Sequence, residues 1–144
     1  MTRDIDLVVE LHPAHARVLI GLLGAEFECD PDTVRDAIAN RRTFNAFHLG
    51  ALQKIDFIVL TDTDYELEKF ERRRRVTIGG QPMWIITPED LVLSKLAWAR
   101  DSRSELQLRD VKSIIALQPN LDWPYLDRWA LRLAVRKLVD ELRP

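Results

Sequence analysis

The run Ile55-Asp56-Phe57-Ile58-Val59-Leu60 constrains this chain more than any other segment, because it has the length and composition of a strand and is apolar except for one carboxylate. A bare acid in such a strand is costly, so Asp56 requires a partner, either a basic side chain or a shared cation. The start of the chain offers the cation's other ligands. Asp4-Ile5-Asp6-Leu7-Val8-Val9 alternates and then turns apolar, which predicts a strand with Asp4 and Asp6 on one face and Ile5 and Leu7 on the other. Carboxylates two residues apart on a strand face can hold one divalent ion, and Asp56 would complete a three-carboxylate cradle. The plainer alternative is a solvated edge strand, with Asp56 paired to an arginine.

The remaining punctuation is local. With 144 residues, no repeat, no Gly/Ser linker and only 5 Gly and 7 Pro, one domain is expected, a mixed α/β sheet core over 1–86 followed by helices over 87–144. Pro13 opens a helix that Gly24 stops near Leu23, and Asp30-Pro31-Asp32 starts another carrying Val34 and Ile38. Thr43 to Leu49 and Lys54 to Leu60 read as antiparallel neighbours. Asp64 to Arg72 reads as a helix, and Gly79-Gly80 turns a second hairpin between Val76–Ile78 and Met83–Ile86. Helices follow from Pro88 to about Arg100, from Glu105 to about Leu117, and from Asp122-Trp123-Pro124 to about Leu142, the last broken midway. Fold class is therefore α+β: a mixed sheet with flanking helices and a helical C-terminal segment.

Composition excludes more than it selects. At 47% hydrophobic and 31% charged residues, neither disorder nor a collagen-like chain is expected. No apolar run approaches the roughly 20 residues that span a bilayer, and Met1-Thr2-Arg3-Asp4 carries no signal-peptide core, so no membrane partner is expected. Cys29 is the sole cysteine, which excludes an intrachain disulfide and suits a reducing, cytoplasmic setting. A net charge of −2 does not advertise nucleic-acid binding.

Thr87-Pro88-Glu89-Asp90 supplies an N-cap, a first-turn proline and two acids near a helix N-terminus. On that helix Leu91, Val92, Leu96 and Ala99 form a stripe facing the core, and Lys95 sits on it. Asp110 lies on the Leu106, Ile114, Leu117 side of the next helix, which predicts a Lys95–Asp110 ion pair or a joint approach to a phosphate. A snorkelling lysine and a surface aspartate are the bland alternative.

Taken together, Thr2-Arg3-Asp4-Ile5-Asp6-Leu7-Val8-Val9 and Lys54-Ile55-Asp56-Phe57 resemble the DxD strand and third-aspartate strand of the DNA-polymerase-β-like nucleotidyltransferase superfamily. The nearest likeness is to small bacterial proteins related to the AbiEii-type toxins of toxin–antitoxin systems, which also carry Thr87-Pro88-Glu89-Asp90-Leu91, Lys95 and the Arg109-Asp110 pair. The resemblance covers nearly the whole chain. It implies a nucleotidyltransferase fold, Mg²⁺ held by Asp4, Asp6 and Asp56, and catalytic roles for those three with Lys95 and Asp110. It further implies an NTP bound by Thr2, Arg3 and Lys95, whose nucleoside monophosphate passes to an acceptor hydroxyl on a tRNA, a protein or a small molecule. Members of the superfamily have a strand and helix before the DxD strand, with a Gly-Gly or Gly-Ser pair that cradles phosphates. Asp4 leaves no room for them here. The expectation is therefore a truncated or misassigned start, or a strand borrowed from another chain. Two further readings follow: a catalytically impaired binding or regulatory scaffold, and a metal-dependent nuclease. An exposed sheet edge also suggests a homodimer.

The lesser candidates read as structural. Arg72-Arg73-Arg74-Arg75 could grip phosphates but reads as a solvated run paired with Glu66, Glu68 and Glu71. His12 and His15 read as surface residues, His48 as a hydrogen-bonded half-buried imidazole, and Cys29 as passive. Trp84, Trp98, Trp123 and Trp129 read as packing anchors.

Overall fold

A computed structural model describes residues 4–102 and 104–144. The protein is mixed α+β. In chain order the elements are β1 (Ile5–Val9), a 3₁₀ turn at Pro13–His15 leading into α1 (Ala16–Leu23), β2 (Phe27–Glu28), α2 (Pro31–Ala39), β3 (Thr43–His48) and β4 (Gln53–Val59). They continue with α3 (Asp64–Arg72), β5 (Arg74–Ile78), β6 (Gln81–Ile85), α4 (Pro88–Ser102), α5 (Glu105–Leu117), α6 (Trp123–Arg132) and α7 (Arg136–Leu142). Two compact units result, Met1–Leu67 and Glu68–Pro144, so the β5–β6 hairpin belongs with the helices rather than with the sheet core, where the sequence pattern groups it.

In the first unit four strands lie in the order β1-β4-β3-β2. The β3–β4 hairpin is antiparallel, and β1 runs parallel to β4 with Ile5 opposite Ile55, Asp6 opposite Asp56 and Leu7 opposite Phe57. That register follows from the hydrophobic pattern, since a one-residue slip would turn Leu7, Ile55, Phe57 and Val59 away from the core. Their face packs on Ala16 and Leu23 of α1 and on Val34, Ala37 and Ile38 of α2. Phe44 and Phe57 stack there with ring centroids 4.9 Å apart. Asp30 starts α2 as its N-cap, accepting the backbone N–H groups of Asp32 and Thr33. The two-residue β2, with Phe27 opposite His48, is too short to leave a period in the sequence.

The second unit is a helical body with the two-stranded β5–β6 hairpin attached. Gly79 and Gly80 make its turn with φ of 57° and 80°, values that glycine adopts without a Cβ penalty. Val92, Leu93 and Leu96 of α4, Val111 of α5 and Leu126, Trp129 and Ala130 of α6 are buried together with Val139 of α7. On α5 the inward residue is Val111, whereas Leu106 and Leu117 are exposed, so the buried face is rotated from the stripe read in the sequence. Trp129 anchors packing as expected, but Trp84 and Trp98 are 59% and 50% exposed and do not. Among the described residues no helix is long and apolar enough to cross a membrane.

Candidate functional site

Strand alternation puts Leu7, Phe57 and Phe44 on the core face and leaves Asp6, Asp56 and Asn45, together with Val8, Ile58 and Phe47, on the other, the polar face by virtue of its charged groups. On the polar face the β1–β4 register sets Asp6 beside Asp56, and the antiparallel β3 sets Asn45 on the other side of Asp56. Two residues earlier on each strand, and so on the same face, Lys54 stands next to Asp4. Its ammonium lies 3.0 Å from Asp56 Oδ2 and 3.4 Å from Asp4 Oδ2, so one cation bridges two of the three aspartates. The hydrogen bond to Asp56, reinforced by the charges of Asp56 and Asp4, raises the Lys54 pKa and keeps the bridge cationic. Asp56 is thus paired, with a lysine rather than the arginine that the plainer reading supplies.

The carboxylate oxygens of Asp4, Asp6 and Asp56 are the kind of ligand Mg²⁺ takes, and the three acids share one sheet face. Lys54 already holds two of them, and among the described residues no three histidine, cysteine or carboxylate side chains converge closely enough to hold a metal. A divalent ion at this face would have to displace the ammonium. Beside the row an open cleft of about 510 Å³ is lined by Glu28, Cys29, Asp30, Thr33, Asn45 and Phe47. Lys54 and Asn45 are the residues for which the sequence reading held no role. Their signal was present: Lys54 precedes Asp56 by two, which on a strand means the same face.

The two residues expected on the helices do meet. Lys95 of α4 donates to Asp110 Oδ2 of α5 at 2.8 Å and to Gln107 Oε1 at 3.0 Å. With its side chain only 14% exposed, the ammonium is largely out of water and these two bonds define its position. The Lys95 hydrogen bond holds the Asp110 carboxyl below the ordinary carboxylate range. Asp4, Asp6 and Asp56 belong to the sheet unit, and Lys95 and Asp110 to the helical unit. Thr2 and Arg3, the remaining expected nucleotide ligands, lie outside the described residues.

Thr87-Pro88-Glu89-Asp90 does more than start a helix. Thr87 donates to Asp90 Oδ2 at 2.6 Å and accepts the Asp90 N–H, Tyr125 donates to Asp90 Oδ1 at 2.6 Å, and Arg72 Nε approaches Oδ2 at 3.4 Å. Arg72 also stands 3.6 Å from Glu89 Oε2 and stacks 3.7 Å from the Tyr125 ring centre. Asp90 is fully buried, and burial pushes the Tyr125 hydroxyl pKa far up, keeping it a proton donor to Asp90. This network ties α3, α4 and α6, and its residues are consumed by structure.

The histidines are also accounted for. His48 sits on the apolar side of β3, accepts the Ala51 N–H at Nδ1 and meets the Phe27 ring edge-on, so it does not face the aspartates. His15 accepts the His12 N–H. A second open cleft, about 440 Å³, is lined by residues of α4, α5 and α7 and by Ala134 and Val135, and contains none of the expected site residues. Compared with protein-family models and with curated proteins, the chain matches none of them.

Proposed function

We propose that the polar sheet face is a nucleotidyl-transfer site, at which an acceptor hydroxyl attacks the α-phosphorus of an NTP and pyrophosphate departs. The observation that carries this reading is the in-register placement of Asp6 beside Asp56 on parallel strands, with Asp4 on the same face. Mg²⁺ held by Asp4, Asp6 and Asp56 would supply charge compensation for the triphosphate and a lowered acceptor pKa. Asp56, nearest the cleft through Asn45, is assigned acceptance of the acceptor proton. Asp4 and Asp6 are assigned the triphosphate side. Within the helical unit, Lys95, fixed by Asp110 and Gln107, is proposed separately as a group that can steady phosphate charge, with Asp110 as its positioning residue.

A second reading rests on a specific observation. Because Lys54 bridges Asp4 and Asp56, the face already carries a cation of its own where a metal would sit, as a nucleotidyltransferase-like scaffold serving in binding or regulation rather than transfer would. Transfer of label from α-labelled NTPs to tRNA, protein and small hydroxyl acceptors separates the two. The transferase reading expects Mg²⁺-dependent labelling that Asp6→Asn abolishes with an unchanged circular dichroism spectrum. Equal labelling by that variant would remove the aspartates from the chemistry, and a folded parent chain with no labelling and no Mg²⁺-dependent NTP binding would favour the scaffold.

A further inference from the structure

The arginine run and Trp84 do not behave as the sequence suggested. Among the described residues only Arg72 of the four arginines enters ion pairs, with Glu89 and Asp90, while Glu68 is taken by Arg128 and by the Trp129 indole N–H. Arg73 donates to the Phe70 carbonyl and spreads over two rings, 4.1 Å from the Phe70 centre and 4.8 Å from that of Trp84. Arg74 and Arg75 are exposed and make no ion pair among the described residues. Residues 73–86 hold three arginines and not one acid.

The hairpin register sorts these groups onto faces. Arg75 lies opposite Trp84 and Thr77 opposite Pro82, whereas Arg74, Val76 and Ile78 lie opposite Ile85, Met83 and Gln81 on the other face. One face therefore presents an indole, 59% exposed, flanked by Arg75 across the strand pair and by Arg73 against its ring. A large aromatic surface left in water between uncompensated guanidinium groups fits a ligand that brings phosphates and flat rings together. The geometry points to this face as a docking surface for a single-stranded polynucleotide, with a base stacked on Trp84 and adjacent phosphates on Arg73 and Arg75. An acidic peptide would satisfy the arginines and leave the indole unused. A duplex keeps its bases stacked on one another and would likewise miss the ring. The inference stands on the hairpin and not on the chemistry of the aspartates.

Its test is fluorescence anisotropy of a labelled oligoadenylate of about 12 nucleotides, within the usual span of such sites, titrated with the full chain over a range of salt without NTP or Mg²⁺. Saturable binding is expected, with a log–log salt slope of about −1.4 for two phosphates at about −0.7 each. Arg75→Ala should reduce the slope by about 0.7, and Trp84→Ala should weaken binding about tenfold. Trp84→Phe, which keeps a ring, should retain most of it. Trp98→Ala, an exposed indole on α4, should change nothing. Because Trp84 is exposed, all variants should melt as the parent does. Three results would each overturn the inference: no saturable binding at low salt, binding indifferent to Trp84 and Arg75, or equal affinity for oligoglutamate or duplex of matched charge.

Discussion

At the scale of single residues, Asp90 carries the largest structural load. It is fully buried with Thr87, Tyr125 and Arg72 around it, so removing it leaves Arg72 and two hydroxyl donors without their acceptor. Asp90→Ala should cost about 3–5 kcal/mol in urea unfolding, as for other broken buried pairs. Tyr125→Phe, which removes one donor, should cost about 1–3 kcal/mol. Equal, small losses for both would mean that the network does not stabilise the helical unit. The sequence announces Thr87 and Asp90 as helix-start residues, because that signal is local. It does not announce Tyr125 or Arg72, which are brought in by tertiary packing from 35 residues downstream and 18 upstream. Asp56 was legible in the same partial way: a strand acid must be paired, but only the fold chooses Lys54.

At the scale of elements, the helix ends hold what the sequence conceals. After α6, Val135 N–H bonds to Ala130 O and Ala134 N–H to Leu131 O, while Ala134 takes φ of 56°. After α2 the same pattern recurs with Arg42 to Ala37, Arg41 to Ile38 and φ of 50° at Arg41. Both are Schellman endings with a side chain at the position glycine prefers, which is why no glycine marks either stop. Ala134→Gly and Arg41→Gly relieve left-handed strain of about 1–2 kcal/mol, against about 0.4–1 kcal/mol of added unfolded-chain entropy. Each should raise the denaturation midpoint modestly, and a fall would contradict the cap geometry.

The α4–α5 contact makes a prediction in pH. Asp110 has its folded pKa lowered by the Lys95 hydrogen bond, so the pair's stabilisation is fully present above the unfolded carboxylate value of about 3.9. It fades as pH falls through the still lower folded value. Asp110→Asn should therefore be less stable than the parent at neutral pH, with the gap closing below about pH 4. A gap that stays constant into acid would show that the pair contributes nothing through its charge. The Lys95–Asp110 meeting could be read from two helix stripes, although the stripe assumed for α5 was rotated, because Leu106 and Leu117 are exposed where the periodicity alone expects burial.

At the scale of the whole molecule, the order of strands and helices was legible because hydrophobic period, caps and turn glycines are local signals. The division into Met1–Leu67 and Glu68–Pro144 was not, since it falls inside the continuous helix α3. The sheet order makes β1 an edge strand, and such an edge is a template for pairing with a second chain. Light scattering should show association rising with concentration, and a constant mass of 16.7 kDa would remove the dimer.

The central claim is that Asp4, Asp6 and Asp56 are a nucleotide site rather than a decorated sheet face. Calorimetric titration of the chain with each NTP, with and without Mg²⁺, in parallel with the Asp4→Asn/Asp6→Asn variant, tests it most directly. The account predicts Mg²⁺-dependent binding that the variant loses while remaining folded. Binding that survives the two substitutions, or its absence in the folded parent chain, would contradict it.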